Sequence, residues 1–598
     1  MSLSLSSETR PIATNAALWR ARAASPAGAV ALVVLCAVVM LPGLASIGPI
    51  DRDESRFAQA SRQMYESIAL PAAARDPGMH SGGLAVPMVG DRPRVNKPPL
   101  VYWLQTASAA AFSRGNPLAD AIWMYRVPSV VCAMLAVLLT WRIGRSMTDA
   151  RVAWLAAAML AVCPVVVFDA HQARADQLLL ACTTLAMLGL WSVYRHPSRR
   201  WMGPAALWLG VALGLLAKGP ITPMVVVLTA LALCLVGREW RWLKRTRPVL
   251  GVLAVVLVVT PWVIAVGEQL GWREMAQLAY DETLGRASSP KEGHWGPPGY
   301  HVVLLPALFW PGSLLTAFGV GMAVRRAMSL SGAGRWRERW RSRMPRDRAM
   351  LFLLCWIVPS WIVFEISSTK LPHYTLPLYP AIALVSARAV LAGPAVWQRL
   401  NRLDRFGFGV WGAIGVLLLC APIVAMGVIL LPSDTARAGV LFAAGLGAAA
   451  ITLRSAAIAI RCQMPRAQLA ALAVPVIVAP TIFGLILPGV IGRPSVDVMR
   501  TVDAVDPLGD RPFAAVGYHE DSLTFVSRAR VERINTEQVE AWLGEHPRGL
   551  VLVPVPMLGG LQNLETIELT TGFNVGTGRF VDLALCQLPA HAGEEGTP

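Results

Sequence analysis

Charge is scarce in this chain. Asp, Glu, Lys and Arg make up 15% of its 598 residues against 55% hydrophobic, and the mean hydropathy is +0.50. That balance excludes a soluble enzyme with a single anchor and describes a polytopic membrane protein. Acids are scarcer than bases, 37 against 54, which leaves a net charge of +17. The cations collect in short loops between apolar runs, which is the positive-inside bias, so nucleic-acid binding is set aside. Cysteine provides no framework. Seven of the nine lie in apolar runs, Cys462 sits in a basic loop, and only Cys586 falls in the polar C-terminal part, so no disulfide forms within that part. Neither a CxxC nor a Cys/His ligand spacing occurs, and there is no Gly-rich P-loop or dinucleotide fingerprint. Their absence disfavours zinc and nucleotide chemistry. No internal repeat or low-complexity tract stands out.

What is present is a succession of apolar runs. Residues 1–24 are polar and basic, with Arg10, Arg20 and Arg22 against Glu8, and read as a cytoplasmic tail. The run Ala27–Ile47 is too long for a signal-peptide core and reads as a retained first span. Residues 48–120 then form an extracytoplasmic loop with two juxtamembrane helices. In the first, Phe57, Ala60, Met64 and Ile68 recur at helical spacing among Arg56, Gln59, Arg62 and Gln63. The second, Leu100–Phe112, is too short to span. Leaving it out of the count gives about 13 transmembrane helices between residues 25 and 490, and places the Arg-rich loops (Arg142 to Arg151, Arg195 to Arg200, Arg238 to Arg247, Arg325 to Arg348) on one side. Residues 491–598 are less apolar. They alternate strand-like runs (Phe513–Tyr518, Leu550–Pro554, Glu565–Thr570, Arg579–Leu585) with a helix at Thr536–Leu543 capped by Asn535, which predicts a small extracytoplasmic α/β domain.

The polar groups converge on the face opposite the Arg-rich loops. Asp51-Arg-Asp53-Glu54-Ser-Arg56-Phe57 follows the first span, and Asn96-Lys97-Pro98-Pro99 closes its loop. His171, Arg174 and Asp176 lie in a short turn; Asp281, Glu282 and Arg286 lie in a later loop; Lys370, His373 and Tyr374 lie in another. Taken singly, each has a structural reading as a helix cap, an ion pair or a snorkelling side chain. Together they supply what a phosphate leaving group requires: Arg and Lys for the anion, and a carboxylate base for the incoming nucleophile.

Four motifs carry a family resemblance: Asp53-Glu54-x-Arg56-Phe57-Ala58, Lys97-Pro98-Pro99-Leu100-x-Tyr102-Trp103, Ala217-Lys218-Gly219-Pro220, and Lys370-Leu371-Pro372-His373-Tyr374-x-Leu376-Pro377-x-Tyr379-Pro380. In that order, over roughly residues 25–490, the chain resembles the GT-C membrane glycosyltransferases. The branch it is most similar to holds the lipid A aminoarabinose transferases, lipopolysaccharide galacturonosyltransferases and, more distantly, protein O-mannosyltransferases. The resemblance implies an all-α polytopic GT-C domain in the bacterial inner membrane with a periplasmic active site. It implies inverting sugar transfer from a polyprenyl-phosphate donor of the undecaprenyl type to lipid A, lipopolysaccharide core or, alternatively, protein. Asp53 would be the general base, with Glu54 and Asp176 as further catalytic acids. Lys97, Arg286 and Tyr374 would hold the donor phosphate, and Arg56, Asn96, Asp281, Lys370 and His373 are candidates for substrate contact.

Three departures bear on specificity. The family's aminoarabinose branch carries an acid where this chain has Asn96, and His-rich character where it has Tyr280-Asp281-Glu282; residues 69–94 also form a longer loop. Aminoarabinose is therefore not carried over as the sugar. Asn96 also weakens the case for a divalent metal there, which is possible but not supported, and none is required, because a lipid phosphate leaves readily once Lys and Arg neutralise it. A lipid-saccharide transporter is the competing reading. It would place ionisable residues near the bilayer midplane, where this chain has few.

Overall fold

The computed structural model describes residues 21–71, 82–195, 201–280, 296–327, 347–398, 400–561 and 563–589. Among the described residues, seven helices are long and apolar enough to cross a bilayer: Ile122–Met147, Asp176–Arg195, Pro248–Leu270, Arg348–Ile366, Arg402–Leu430, Thr435–Ile460 and Met464–Gly489. Counted as one broken span, the pair Ala150–Val162 and Pro164–Ala170, bent by 56°, brings the number to eight. Cys163, between the two, is extended (ψ 138°), as expected of a residue whose successor is proline. Pro26–Met40, Met202–Lys218, Ile221–Gly237 and Leu376–Val390 are apolar but shorter. The apolar stretch of residues 301–324 is divided into Tyr300–Leu308, a 3₁₀ turn at Gly312–Leu315 and Thr316–Ala327, interrupted at Pro311. Length and composition thus qualify eight of the thirteen expected runs as spans on their own.

Five helices position the polar groups. They are labelled α1 (Pro26–Met40), α2 (Asp53–Ala69), α3 (Leu100–Phe112), α4 (Ile122–Met147) and α5 (Asp176–Arg195). Helix α2 begins with two acids, which its N-terminal dipole favours. Its apolar residues Phe57, Ala60 and Met64 join the main core, as the helical spacing predicts. Its polar face, however, is not left in the interface: Gln59, Arg62, Gln63 and Glu66 are buried, whereas Ile68 is exposed. Three neighbours cover that face. Helix α3 lies along it through Ser61 Oγ to Gln105 Oε1 (2.7 Å) and Thr106 Oγ1 to the Ser61 carbonyl (3.0 Å). A hairpin of β1 (Met88–Val89) and β2 (Arg92–Pro93) is pinned at Gly90 by Gln63, which accepts from its N–H (2.8 Å) and donates to its carbonyl (2.9 Å). The third neighbour is the C-terminal domain.

That domain starts with α6 (Arg493–Val505) and continues as β3 (Phe513–Val516), α7 (Asp521–Val526), β4 (Val531–Ile534), α8 (Val539–Glu545), β5 (Leu550–Pro554), β6 (Glu565–Asn574) and β7 (Arg579–Gln587). The strand order is β4-β3-β5-β7-β6; β3 runs parallel to both β4 and β5, and β7 is antiparallel to β5 and β6. All four predicted strands are present, and Asn535 caps its helix reciprocally with Gln538. The sequence reading omits β4, α6 and α7. Leu550, Leu552, Phe513 and Val502 pack on one face of the sheet, and Trp542, Val551 and Val553 on the other.

Candidate active site

The site is built where α2 starts. Arg52, the residue before the helix, has φ +65°, a conformation that non-glycine residues adopt only when their surroundings impose it. Asp53 and Glu54 leave this turn in different directions. Glu54 is buried and accepts four hydrogen bonds at 2.8 Å: from Arg126 Nε, Arg126 Nη2, Ile50 N and Ala173 N. The remaining donors of Arg126 go to the carbonyls of Leu44, Ile47 and Gly48 at 2.8 to 2.9 Å. The pair ties the start of α2, helix α4 and the turn before α5 together, and no lone pair of Glu54 is left for a substrate.

Asp53 stays half-exposed, with Arg174 Nη2 3.5 Å and Arg94 Nη2 3.6 Å from its two oxygens. Burial pushes its carboxyl up, but Arg174, Arg94, Lys218 and Lys97 outweigh this and hold it below the ordinary 3.8. Arg94 lies over the Phe57 ring at 4.8 Å. Its Nε is buried without a hydrogen-bond partner, as are Arg174 Nε and Asn96 Oδ1.

Arg174 links this carboxylate to a second one. Its Nη2 is 3.6 Å from Asp176 Oδ2 and 3.3 Å from His373 Nε2, and its Nη1 donates to Gln172 (3.2 Å) and faces Asp169 (3.8 Å). Asp176, at the first turn of α5, accepts from Lys218 Nζ and lies 3.5 Å from His373 Nε2. Lys218 ends the helix Met202–Lys218 and sits 5.8 Å from the centre of the Tyr374 ring. Burial holds the His373 imidazole down at about 3, so it is neutral, and its Nε2 faces both the Arg174 guanidinium and the Asp176 carboxylate. Asp53, Asp176, His373 and Tyr374 are therefore joined through Arg174 and Lys218, and Lys97 is near enough to act on Asp53.

Other predicted residues lie elsewhere. Arg56 pairs with Asp521 of the C-terminal domain at 2.6 Å. Lys370 donates to the carbonyls of Gly296 (2.8 Å) and Pro297 (3.2 Å), 4.0 Å from Glu365, which in turn accepts from the N–H groups of Gly299 and His301. It anchors a loop and does not reach Asp53. His171 stacks on Phe483 at 3.8 Å and bonds the Val167 and Pro42 carbonyls, a packing role. Asp281 and Arg286 lie outside the described residues. Arg94, Arg126 and Glu365 were not singled out from the sequence. Arg126 had a signal, since a lone arginine within an apolar run demands a buried partner. Among the described residues, no three His, Cys, Asp or Glu side chains gather as metal ligands.

The arrangement offers an ionised, solvent-reachable carboxylate beside several fixed cations, a site suited to an anion and to a proton acceptor next to it. Comparison with known proteins bears on the fold and the kind of protein. The sequence profile described as dolichyl-phosphate-mannose-protein mannosyltransferase matches residues 96–264. The undecaprenyl phosphate-alpha-4-amino-4-deoxy-L-arabinose arabinosyl transferase of Edwardsiella ictaluri is 27% identical over 403 residues, 65% of this chain and 64% of that protein. The protein of the same name from Pseudomonas aeruginosa is 27% identical over 382 residues, 62% of each. The chain thus matches just under two thirds of the length of these curated relatives. ArnT from Cupriavidus metallidurans bound to undecaprenyl phosphate superposes with a TM-score of 0.67 at 19% identity, covering 93% of this chain and 97% of that one. The archaeal oligosaccharyltransferase AglB from Archaeoglobus fulgidus gives 0.50 at 12% identity, covering 90% and 70%. The fold is GT-C: a polytopic helical membrane body with a small C-terminal sheet domain.

Proposed function

We propose that the chain is an inverting glycosyltransferase working at the periplasmic face of the bacterial inner membrane. It moves a sugar from a polyprenyl-phosphate donor, of the undecaprenyl-phosphate type, to lipid A or the lipopolysaccharide core. The observation that carries this reading is the half-exposed Asp53 set between Arg94 and Arg174, with Lys97 and Lys218 close by. Asp53 takes the acceptor proton as the acceptor oxygen attacks the anomeric carbon. The carbon–oxygen bond to the phosphate breaks, and the polyprenyl phosphate leaves with the electron pair. Lys97 and Arg286 neutralise that phosphate, and Tyr374 adds a hydrogen bond. Asp176 holds Lys218 and Arg174 in place and stands near the donor sugar. Glu54 positions the base and takes no part in proton transfer.

A carboxyl held below 3.8 is a weak base in the free enzyme. The donor's phosphate brings negative charge among the same cations, which lifts the Asp53 pKa toward its working range. Donor binding thereby arms the base. A protein acceptor is the second reading, favoured by the mannosyltransferase profile over residues 96–264.

The test supplies membranes carrying wild-type protein, Asp53→Asn or Lys97→Ala with a pool of polyprenyl-phosphate sugars, and follows glycolipid, protein and free polyprenyl phosphate by mass spectrometry. A sugar-sized mass gain is expected, identifying acceptor and sugar, with Asp53→Asn slower by about 10²- to 10⁴-fold. Unchanged turnover in Asp53→Asn removes the base, and no turnover with any donor favours a transporter.

A further inference from the structure

Among the described residues, Asp53 makes no bond to the C-terminal domain, yet its neighbours on both sides do. Asp51 Oδ1 accepts from Ser522 N at 3.0 Å, Arg52 Nη2 donates to the Gly576 carbonyl at 2.7 Å, and Arg56 Nε pairs with Asp521 Oδ2 at 2.6 Å. The chain just upstream is held as well. Gly48 and Gly492 approach backbone to backbone, so that a Cβ on Gly492 would lie 2.7 Å from the Pro49 carbonyl and one on Gly48 2.9 Å from that of Ile491. These contacts converge on the turn where Arg52 takes its φ of +65°. Such a conformation is unfavourable for a non-glycine residue and persists only when its surroundings over-determine it. Here the surroundings are β6–β7 on one side and α7 on the other.

A second grip lies at the far end of α2. Arg528 pairs with Glu66 and Asp120, and the Arg62 guanidinium lies 3.7 Å over the Phe525 ring while donating to the Phe525 carbonyl. The far grip fastens the domain to the helix, whereas the near grip sets the direction in which residue 53 leaves the turn.

We propose that the C-terminal α/β domain is the positioning element for the catalytic carboxylate, acting through Asp521, Ser522 and Gly576 on Asp51, Arg52 and Arg56. This rests on the reading of Asp53 as the base. The domain is then neither a passive lid nor an independent acceptor module. Asp521 and the β6–β7 turn are positioning residues, and the carbonyl of Gly576 holds a strained residue adjacent to the base.

The test uses the full-length protein in detergent or nanodiscs and measures kcat, polyprenyl-phosphate binding and melting temperature for each variant. Asp521→Asn is expected to lower kcat on the order of tenfold to hundredfold, the scale of a misplaced catalytic group. Binding of polyprenyl phosphate stays within about twofold of wild type, because the phosphate cations lie outside the grip. Asp521→Glu restores most of the rate. Arg528→Gln, at the far grip, lowers the melting temperature at least as much as Asp521→Asn but leaves kcat near wild type. The proposal is overturned if Asp521→Asn retains full kcat, or if kcat tracks melting temperature equally in the near and far variants. Asp53→Asn is measured alongside. Full turnover in that variant sinks the base itself, whereas loss there with an unaffected Asp521→Asn sinks only the positioning role.

Discussion

Two adjacent carboxylates in this protein have opposite surroundings. Glu54 is sealed among Arg126 and two backbone N–H groups at 2.8 Å, with its partner's guanidinium saturated by carbonyls. Asp53, one residue earlier, faces cations at 3.5 and 3.6 Å and keeps half its surface open. Short, complete geometry in the interior fixes a backbone, because any displacement leaves a buried charge unpaired. Long contacts at a half-open position leave room for a proton and a substrate. Two acids adjacent in sequence are thus held in two different ways, and the tight one ties the turn from which the loose one, the proposed base, projects.

Breaking the closed side should have the largest effect. Glu54→Gln leaves Arg126 buried with a neutral partner, a loss of about 3–5 kcal/mol for a severed buried pair. Folded protein recovered by size-exclusion chromatography should fall sharply, whereas Asp53→Asn elutes and melts like wild type. Equal yields of the two variants would erase the distinction. The open side is sharpened by pH. Asp53 is held below 3.8 in the free protein, so it stays ionised above that value, and the acid limb of kcat/KM lies at or below it. Arg94→Gln removes one of its cations, raises the Asp53 pKa and moves that limb to higher pH. In the wild type, the limb of kcat should already lie above that of kcat/KM, because bound donor adds negative charge. A limb that is indifferent to Arg94 would place the titrating group elsewhere.

The smallest effect belongs to Asp51, which contributes to neither cluster. Burial, with Glu520 and Asp521 nearby, raises its carboxyl from 3.8 to about 6 against the bond from Ser522. A carboxyl raised on folding binds its proton more tightly in the folded state. Stability from this group is therefore lost as pH rises from about 4 to about 6, and stays level above. Asp51→Asn should melt a few degrees higher than wild type above pH 6 and at the same temperature near pH 4, by differential scanning fluorimetry. The reverse order would show that the charged form is the favoured one.

Much of the site was legible because its parts are short motifs next to apolar runs. The sequence groups Asp53, Asp176 and the Lys-Leu-Pro-His-Tyr segment, and Arg174 and Lys218 join the two acids to His373 and Tyr374. Direction was not legible. Lys370 stands three residues before His373 yet turns to the carbonyls of Gly296 and Pro297, and Arg56 turns to Asp521. Arg94 sat in a Gly- and Pro-containing loop without periodicity, and only the hairpin pinned by Gln63 brings it to Asp53. The polar face of α2 reads as interfacial because its covering domain lies hundreds of residues away. Strand β4 was missed because Val531-Glu-Arg-Ile534 offers only two apolar positions, and the partners that hold its charges at the sheet edge, Trp542 for Glu532 and Asp521 for Arg533, come from other elements of the domain.

The bond between Asp51 and Ser522 joins residues 471 positions apart. At about 5–20 residues per second of synthesis, the first loop is made on the order of half a minute to a minute and a half before its partner exists. During that interval Arg62 and Glu66 lack Phe525 and Arg528, and the turn at Arg52, though tied by the Glu54–Arg126 pair, lacks the Gly576 carbonyl and Asp521 that complete its setting. On the proposed reading, the aiming of Asp53 is thus a late event, gated by synthesis of the C-terminal domain: a nascent polypeptide with every apolar helix already inserted would still lack the grip that directs its base.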